Sequence, residues 1–284
     1  MSFTSRTTAC AALCAALTLT ACAPVGPLLE TLVPDAGAPA STTDPDPVPL
    51  ADYDLVDRDD PFGGTEAEDY AEDFGVPEAQ AVGPYSEQRV REAYLITEDF
   101  LEAVYLDQDS VFGQDDSAFT SLLGERYLDW YEENLGHEDP AQDSAGVLFH
   151  LTPGTAEPIG DVVKVNGRMW AEQAQDPYGT DYLAVRTEYT VVHPVARPGE
   201  LVSVRLVTSH YGEVGFYDLG GTWDPWPGWW SASGPAHCLE EATVTPAYPD
   251  EWPRGDKPQG PARDPYALEE LDPEDEECGT IQET

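Results

Sequence analysis

The sequence predicts an α+β fold: N-terminal helices packed on a curved antiparallel sheet, preceded by a disordered acidic linker. Three observations carry this. Apolar residues recur at helical spacing over about 86–107 and again over 117–135. Beyond about residue 160 the period drops to two, the signature of half-buried strands. Residues 23–84 sustain neither period and are crowded with proline and acid, as in Asp44-Pro45-Asp46-Pro47. Helices followed by a meander form a layered arrangement in which the helices cover one face of the sheet.

The first helix is expected to start at an N-cap, Ser86, and to bury Val90, Ala93, Tyr94, Thr97, Leu101, Val104 and Tyr105. The second, over 117–135, aligns Phe119, Leu122, Leu123, Tyr127, Trp130 and Tyr131, with Asp116 capping its start and Gly136 its end. The Asp107–Ala118 connection falls short of a calcium-binding EF-hand loop, because its glycine is one place late and Ala118 stands where the bidentate glutamate belongs. In the strand region, Asn166-Gly167 reads as a type I′ turn that would fold 162–165 onto 168–171 and set Val163 opposite Trp170. A longer strand spans about 182–195, with Leu183, Val185, Thr187, Tyr189, Val191, His193 and Val195 on its core face. After the turn at Pro198-Gly199, a strand over about 201–211 points Val202, Val204, Leu206, Thr208 and His210 inward. A last strand falls near Trp229–Ser233. Helices, hairpin and long strands in this order, with aromatics inside, resemble the cone-shaped NTF2-like fold across residues 85–247. That resemblance implies a cone that is either filled by side chains or open as a pocket.

The N-terminus carries an address. Arg6 precedes an apolar run from Ala9 to Ala21 that ends Leu19-Thr20-Ala21-Cys22. As a helix this run would reach about 20 Å, short of a bilayer core of about 30 Å, so it reads as a removable signal and not as a membrane span. Its last four residues resemble the lipobox of bacterial lipoproteins. The resemblance implies a diacylglyceryl group on the Cys22 thiol, cleavage between Ala21 and Cys22, and display on the extracytoplasmic face of the bacterial cell membrane. Two acyl chains suffice for stable anchoring. The expected organisation is therefore a signal peptide at 1–21, a lipidated cysteine and tether at 22–84, the α+β domain at 85–247 and an acidic, proline-rich tail at 248–284. Limited proteolysis should then leave a fragment beginning near residue 85.

With 55 acidic against 13 basic side chains the formal charge is −42. This excludes a nucleic-acid binder, which must displace the counterions of a phosphate backbone, and electrostatic adhesion to an anionic membrane. No GxSxG, P-loop, GxGxxG or HExxH pattern is present, and no metal site or cofactor is expected. His193 and His210 share the apolar face, but matching faces sets residue 193 opposite about 204 or 202. His210 then lies roughly 20 Å along the sheet, too far to share a metal. A pocket, if one exists, would be lined by residues such as Tyr189, His210 and Trp170, and acid–base chemistry there is one alternative function. Trp223, Trp226, Trp229 and Trp230 crowd into eight residues. Exposed and coplanar they would make a carbohydrate-binding platform; buried they would close the core.

Once the signal peptide has left with Cys10 and Cys14, and Cys22 is acylated, Cys238 and Cys278 remain. In an oxidising compartment the pair is expected to form a disulfide, closing a loop of about 41 residues and contributing about 4 kcal/mol in the chain-entropy model. A catalytic thiolate is disfavoured, since surrounding acids raise a thiol pKa. The leading expectation is a non-enzymatic, lipid-anchored envelope protein that displays a binding domain for another envelope protein or a small ligand.

Overall fold

The computed structural model describes residues 55–139, 142–237, 242–251, 262–267 and 280–281. The signal peptide, Cys22, Cys238 and Cys278 lie outside these residues. Four helices precede a five-stranded antiparallel sheet: α1 (Glu87–Tyr105), α2 (Gln108–Gly113), α3 (Ser117–Thr120) and α4 (Glu125–Asn134), then β1 (Glu157–Pro158), β2 (Lys164–Gln175), β3 (Asp181–Ala196), β4 (Ser203–Asp218) and β5 (Trp223–Gly234). The order is β3-β4-β5, with β1 and β2 both on the outer edge of β3, at opposite ends. A short parallel pair, β6 (Ala262–Arg263) and β7 (Thr280–Ile281), lies in the C-terminal region.

Helix α1 follows its sequence signals. The Ser86 hydroxyl accepts from the Arg89 N–H at 3.4 Å, and every residue of its expected apolar face is buried. The helix expected over 117–135 is broken in two. Thr120 and Ser121 turn their hydroxyls onto the carbonyls of Asp116 and Ala118, and Gly124 takes extended angles to cap α4. Local side-chain bonding and a glycine together outweigh the apolar period. Gly136 ends α4 at φ 72°, as expected. The Asp107–Ala118 connection is itself largely helical, as α2.

The Asn166-Gly167 turn does not form. Both residues lie inside β2, paired with Thr190 and Tyr189 of β3. The twelve cross-strand pairs of β2 with β3 outweigh a local turn that would have yielded a four-residue hairpin. Gly167 instead serves close approach, because a Cβ there would lie 2.1 Å from the Glu188 carbonyl oxygen and 2.6 Å from the Tyr189 ring. Consequently Val163 does not face Trp170, which is paired with Arg186.

In β3 the expected core face is borne out, with Leu183, Val185, Tyr189, Val191 and Val195 all in the main core. The opposite face is buried as well over its C-terminal half: Thr190, Val192 and Ala196 are all solvent-inaccessible. What covers it is residues 55–70, which the sequence placed in the disordered tether. Phe62 and Ala67 pack on Val192 and Val207, and Val56 packs on Ile159 and Ala196. The segment then rounds the edge of β2, where Ala71 and Val165 exchange both backbone hydrogen bonds at 3.0 and 2.8 Å. It ends on the inner face with Phe74 in the main core, 2% exposed. Residues 56–74, expected in the tether, thus pack against the domain. The acids between Phe62, Ala67 and Phe74 obscure an apolar spacing that reaches two faces of one sheet, with Ala71 at its edge. Within the acidic, proline-rich tail at 248–284, Tyr248 and Tyr266 are buried.

One edge of the sheet is β5. It carries Pro225 and Pro227, which cannot donate to an added strand, and α4 closes over it, the Tyr127 hydroxyl donating to the Pro227 carbonyl at 2.8 Å. The β4–β5 contact is close at Gly212, where a Cβ would stand 2.2 Å from the Cβ and 2.5 Å from the Cα of Trp229. Neither atom can move without shifting the strand. Gly212→Ala is expected to lower stability by about 3 kcal/mol or more, read as a lowered urea midpoint. An unchanged midpoint would contradict this packing.

Candidate functional site

Matching β3 to β4 sets His193 opposite Leu206 and Tyr189 opposite His210. The register differs by two to four residues from the expected one, because the turn is longer than Pro198-Gly199 alone: Arg197 bonds Val202 across the four residues between them. His210 therefore lies four positions from His193 along the strand, about 13 Å. They still cannot share a metal. They are instead joined through one residue, Tyr105, at the end of α1. His193 Nε2 donates to the Tyr105 carbonyl at 2.8 Å, one of the orphan acceptors of a helix terminus. The Tyr105 hydroxyl meets His210 Nδ1 at 2.9 Å, and His210 Nε2 meets the Thr187 hydroxyl at 2.9 Å.

Both imidazoles are buried, His193 stacked on Phe149 at 5.0 Å and His210 against Trp229 at 5.4 Å. Burial pushes the pKa of His193 down to about 4 and that of His210 down to about 3. With Nε2 of His193 committed as a donor, Nδ1 holds a lone pair and has no partner among the described residues. Burial also raises the Tyr105 phenol well above its ordinary range. Side chains including Phe100, Tyr105, Tyr189 and Leu206 pack between helices and sheet. Beside His193 a hollow lined by Tyr105, Val111, Phe112 and Pro194 remains, sized for about one water molecule.

The pocket residues named from sequence are only partly brought together. Tyr189 and His210 are cross-strand neighbours in the core, and the Tyr189 hydroxyl donates to the Phe74 carbonyl at 2.9 Å. Trp170 points to the opposite sheet face, 38% exposed, with the Arg168 guanidinium 5.1 Å from its ring.

The four clustered tryptophans do not form a plane. Trp223 lies under the Arg89 guanidinium at 3.6 Å and against Tyr85 and Phe216. Trp226 packs edge-on to Tyr127, its indole N–H on Asp224 Oδ2. Trp229 enters the core beside Phe100 and Phe119 and donates to the Val147 carbonyl at 2.8 Å. Trp230 stacks on Tyr211 at 5.1 Å. Three of the four thus serve packing, the reading in which such rings close a core.

One contact was invisible in the sequence. The Ser110 hydroxyl lies 3.4 Å from His150 Nε2, and the Asp116 charge acts on the same imidazole. A buried serine, a histidine and a nearby carboxylate suggest nucleophilic catalysis. The distance exceeds the 2.6–3.2 Å reach of such a pair. Ser110 is also fully enclosed within α2. Forty residues separate Ser110 from His150, and nothing in either neighbourhood marks the pair.

Among the described residues no three His, Cys, Asp or Glu side chains are grouped to hold a metal, and no helix is long and apolar enough to cross a membrane. No protein-family model matches the sequence, and neither the curated proteins nor the solved structures yield a significant match.

Proposed function

We propose that this chain is a lipid-anchored protein of the bacterial cell envelope. It displays a non-catalytic binding domain on the extracytoplasmic face, built as a filled NTF2-like cone. The observation that carries the binding reading is the Tyr105–His210–Thr187 chain. The groups that an acid–base enzyme would hold open to substrate are bonded to one another and enclosed. Recognition then falls to the outer surface. The anchor rests on Leu19-Thr20-Ala21-Cys22 and its lipobox resemblance. Between Cys22 and Leu55 the sequence is acidic and rich in proline. The acyl chains hold by hydrophobic burial, so the charge of −42 does not oppose them.

Cys22→Ser should abolish incorporation of a labelled fatty acid and move the protein from the detergent phase to the aqueous phase. A mature wild-type chain whose mass shows Cys22 unmodified overturns the anchor.

A further inference from the structure

Two hairpin turns leave the same end of the sheet, one between β2 and β3, the other between β4 and β5. Each is closed by hydrogen bonds, and each holds an apolar side chain out to solvent. In the first, Asp176 Oδ1 accepts from the N–H groups of Tyr178 and Thr180 at 2.9 and 2.8 Å, and Tyr178 is 95% exposed. In the second, Leu219 N–H donates to the Thr222 carbonyl at 2.9 Å, Asp218 Oδ1 accepts from Gly221 N–H at 2.6 Å, and Leu219 is 56% exposed. Arg89 of α1 pins this second turn, donating to the Gly221 carbonyl at 3.2 Å and standing 3.8 Å from Asp218. Tyr85 sits between the two turns: Asp181 from the first and Asp218 from the second both act on its phenol, and its ring rests on Trp223 at 5.6 Å.

The hydrogen bonds within each turn set its backbone before any partner arrives. Such preorganisation is what lowers the entropy lost on binding. The surrounding charge is one-sided. Asp176, Asp181 and Asp218 stand beside Tyr178, Leu219 and Tyr85, and the nearby Arg89 is already engaged. Aromatic faces and carboxylates together select a cation with an apolar stem, the chemistry of lysine and arginine side chains. The chain enters the domain at the other end of the sheet, where Val56 N–H donates to Ser203 Oγ and Arg58 donates to the Glu200 carbonyl. The strand between the two ends, β3, has 16 residues and a length of about 50 Å.

We propose that this hairpin end, built on Tyr178, Leu219 and Tyr85 and ringed by Asp176, Asp181 and Asp218, docks a protein segment bearing lysine or arginine. The proposal rests on the binding-domain reading above and names the partner's chemistry.

The test uses the full chain, purified from a bacterial envelope in detergent, and a capped pentapeptide Lys-Arg-Tyr-Lys-Arg as probe, with its Glu-for-Lys/Arg counterpart as control. Hydrogen-exchange mass spectrometry should show saturable protection confined to 176–181, 218–222 and the neighbourhood of Tyr85, with none from the acidic control. The double variant Tyr178→Ser, Leu219→Ser should weaken binding at least tenfold, while Leu201→Ser at the other end leaves it unchanged. Protection spread over the whole acidic surface, or a double variant that binds like wild type, overturns the site. A chain that binds in this way yet carries no lipid on Cys22 overturns the anchor and leaves the surface standing.

Discussion

Lowering the pH from 8 to 5 is expected to cost the domain about 4 kcal/mol through His193 and His210 alone. Both folded-state pKa values are depressed, to about 4 and about 3, because the imidazoles are enclosed among aromatic rings. In the unfolded chain both titrate near 6.5. Below that pH the unfolded state binds protons that the folded state refuses. Stability is therefore full above pH 6.5, falls as the pH drops through 6.5, and stops falling on this account only below the folded values. At pH 5 each imidazole contributes a loss of about 2 kcal/mol. His150 adds to the loss, its pKa also being lowered by burial. Two effects oppose it. Glu98 and Glu102 have raised pKa values, chiefly from burial and then from neighbouring acids, so protonating them favours the folded state. Partial neutralisation of a charge of −42 acts in the same direction.

Variants separate these terms. His210→Gln and His193→Gln should each flatten the dependence of the chemical-denaturation free energy on pH between 6.5 and 5, whatever they do to stability at pH 8. The wild-type imidazole resonances of these two residues should stay in the neutral position down to pH 5. Resonances that titrate near 6.5, or variants with the wild-type slope, would refute the account.

How much of this was legible in the sequence depended on whether a feature is local. Helix α1, its Ser86 cap and the core face of β3 are local patterns, and the structure follows them. The Asn166-Gly167 turn was an equally good local pattern and lost, because a strand 20 residues on offered β2 a full-length partner. The His193–His210 separation depended on a turn whose length Pro198-Gly199 alone does not fix. The tryptophan cluster showed that indoles were concentrated near one point of the fold. It could not show that each would take a different neighbour, since Phe100, Tyr127, Tyr85 and Tyr211 come from four separate parts of the chain. The hairpin end was half visible: Asp176-Pro-Tyr178-Gly179 and Asp218-Leu219-Gly220-Gly221 are turn sequences, but only the sheet register puts them at one end.

A chain beginning at residue 85, where apolar periodicity starts, is expected not to fold cooperatively, whereas one beginning near residue 50 should melt like the whole domain. Residues 55–84 have almost no regular structure of their own beyond a 3₁₀ turn at Glu66–Asp69, so their order comes from what they cover. Removing them exposes Val192 and Val207 on one face. At the edge it strips the Val165 N–H and carbonyl of their partner, and in the core it leaves the Tyr189 hydroxyl without its acceptor. Unpartnered buried polar groups cost about 1–3 kcal/mol each. Phe74 is the most buried ring of the segment, edge-on to Tyr189 at 4.9 Å and 6.2 Å from Tyr105. Phe74→Ala in the full chain should therefore cost about 3–5 kcal/mol, with the loss read as a lowered denaturant midpoint. Asp73 beside it raises the pKa values of Glu98 and Glu102 in a minor way, so Asp73→Asn is the control that keeps the ring and should leave stability the same or higher. Limited proteolysis supplies the independent readout: cleavage should occur before residue 55 and spare 55–84 until the domain unfolds. A stable fragment starting near 85, melting as the full chain does, would return this segment to the tether and leave the burial of Phe74 without consequence.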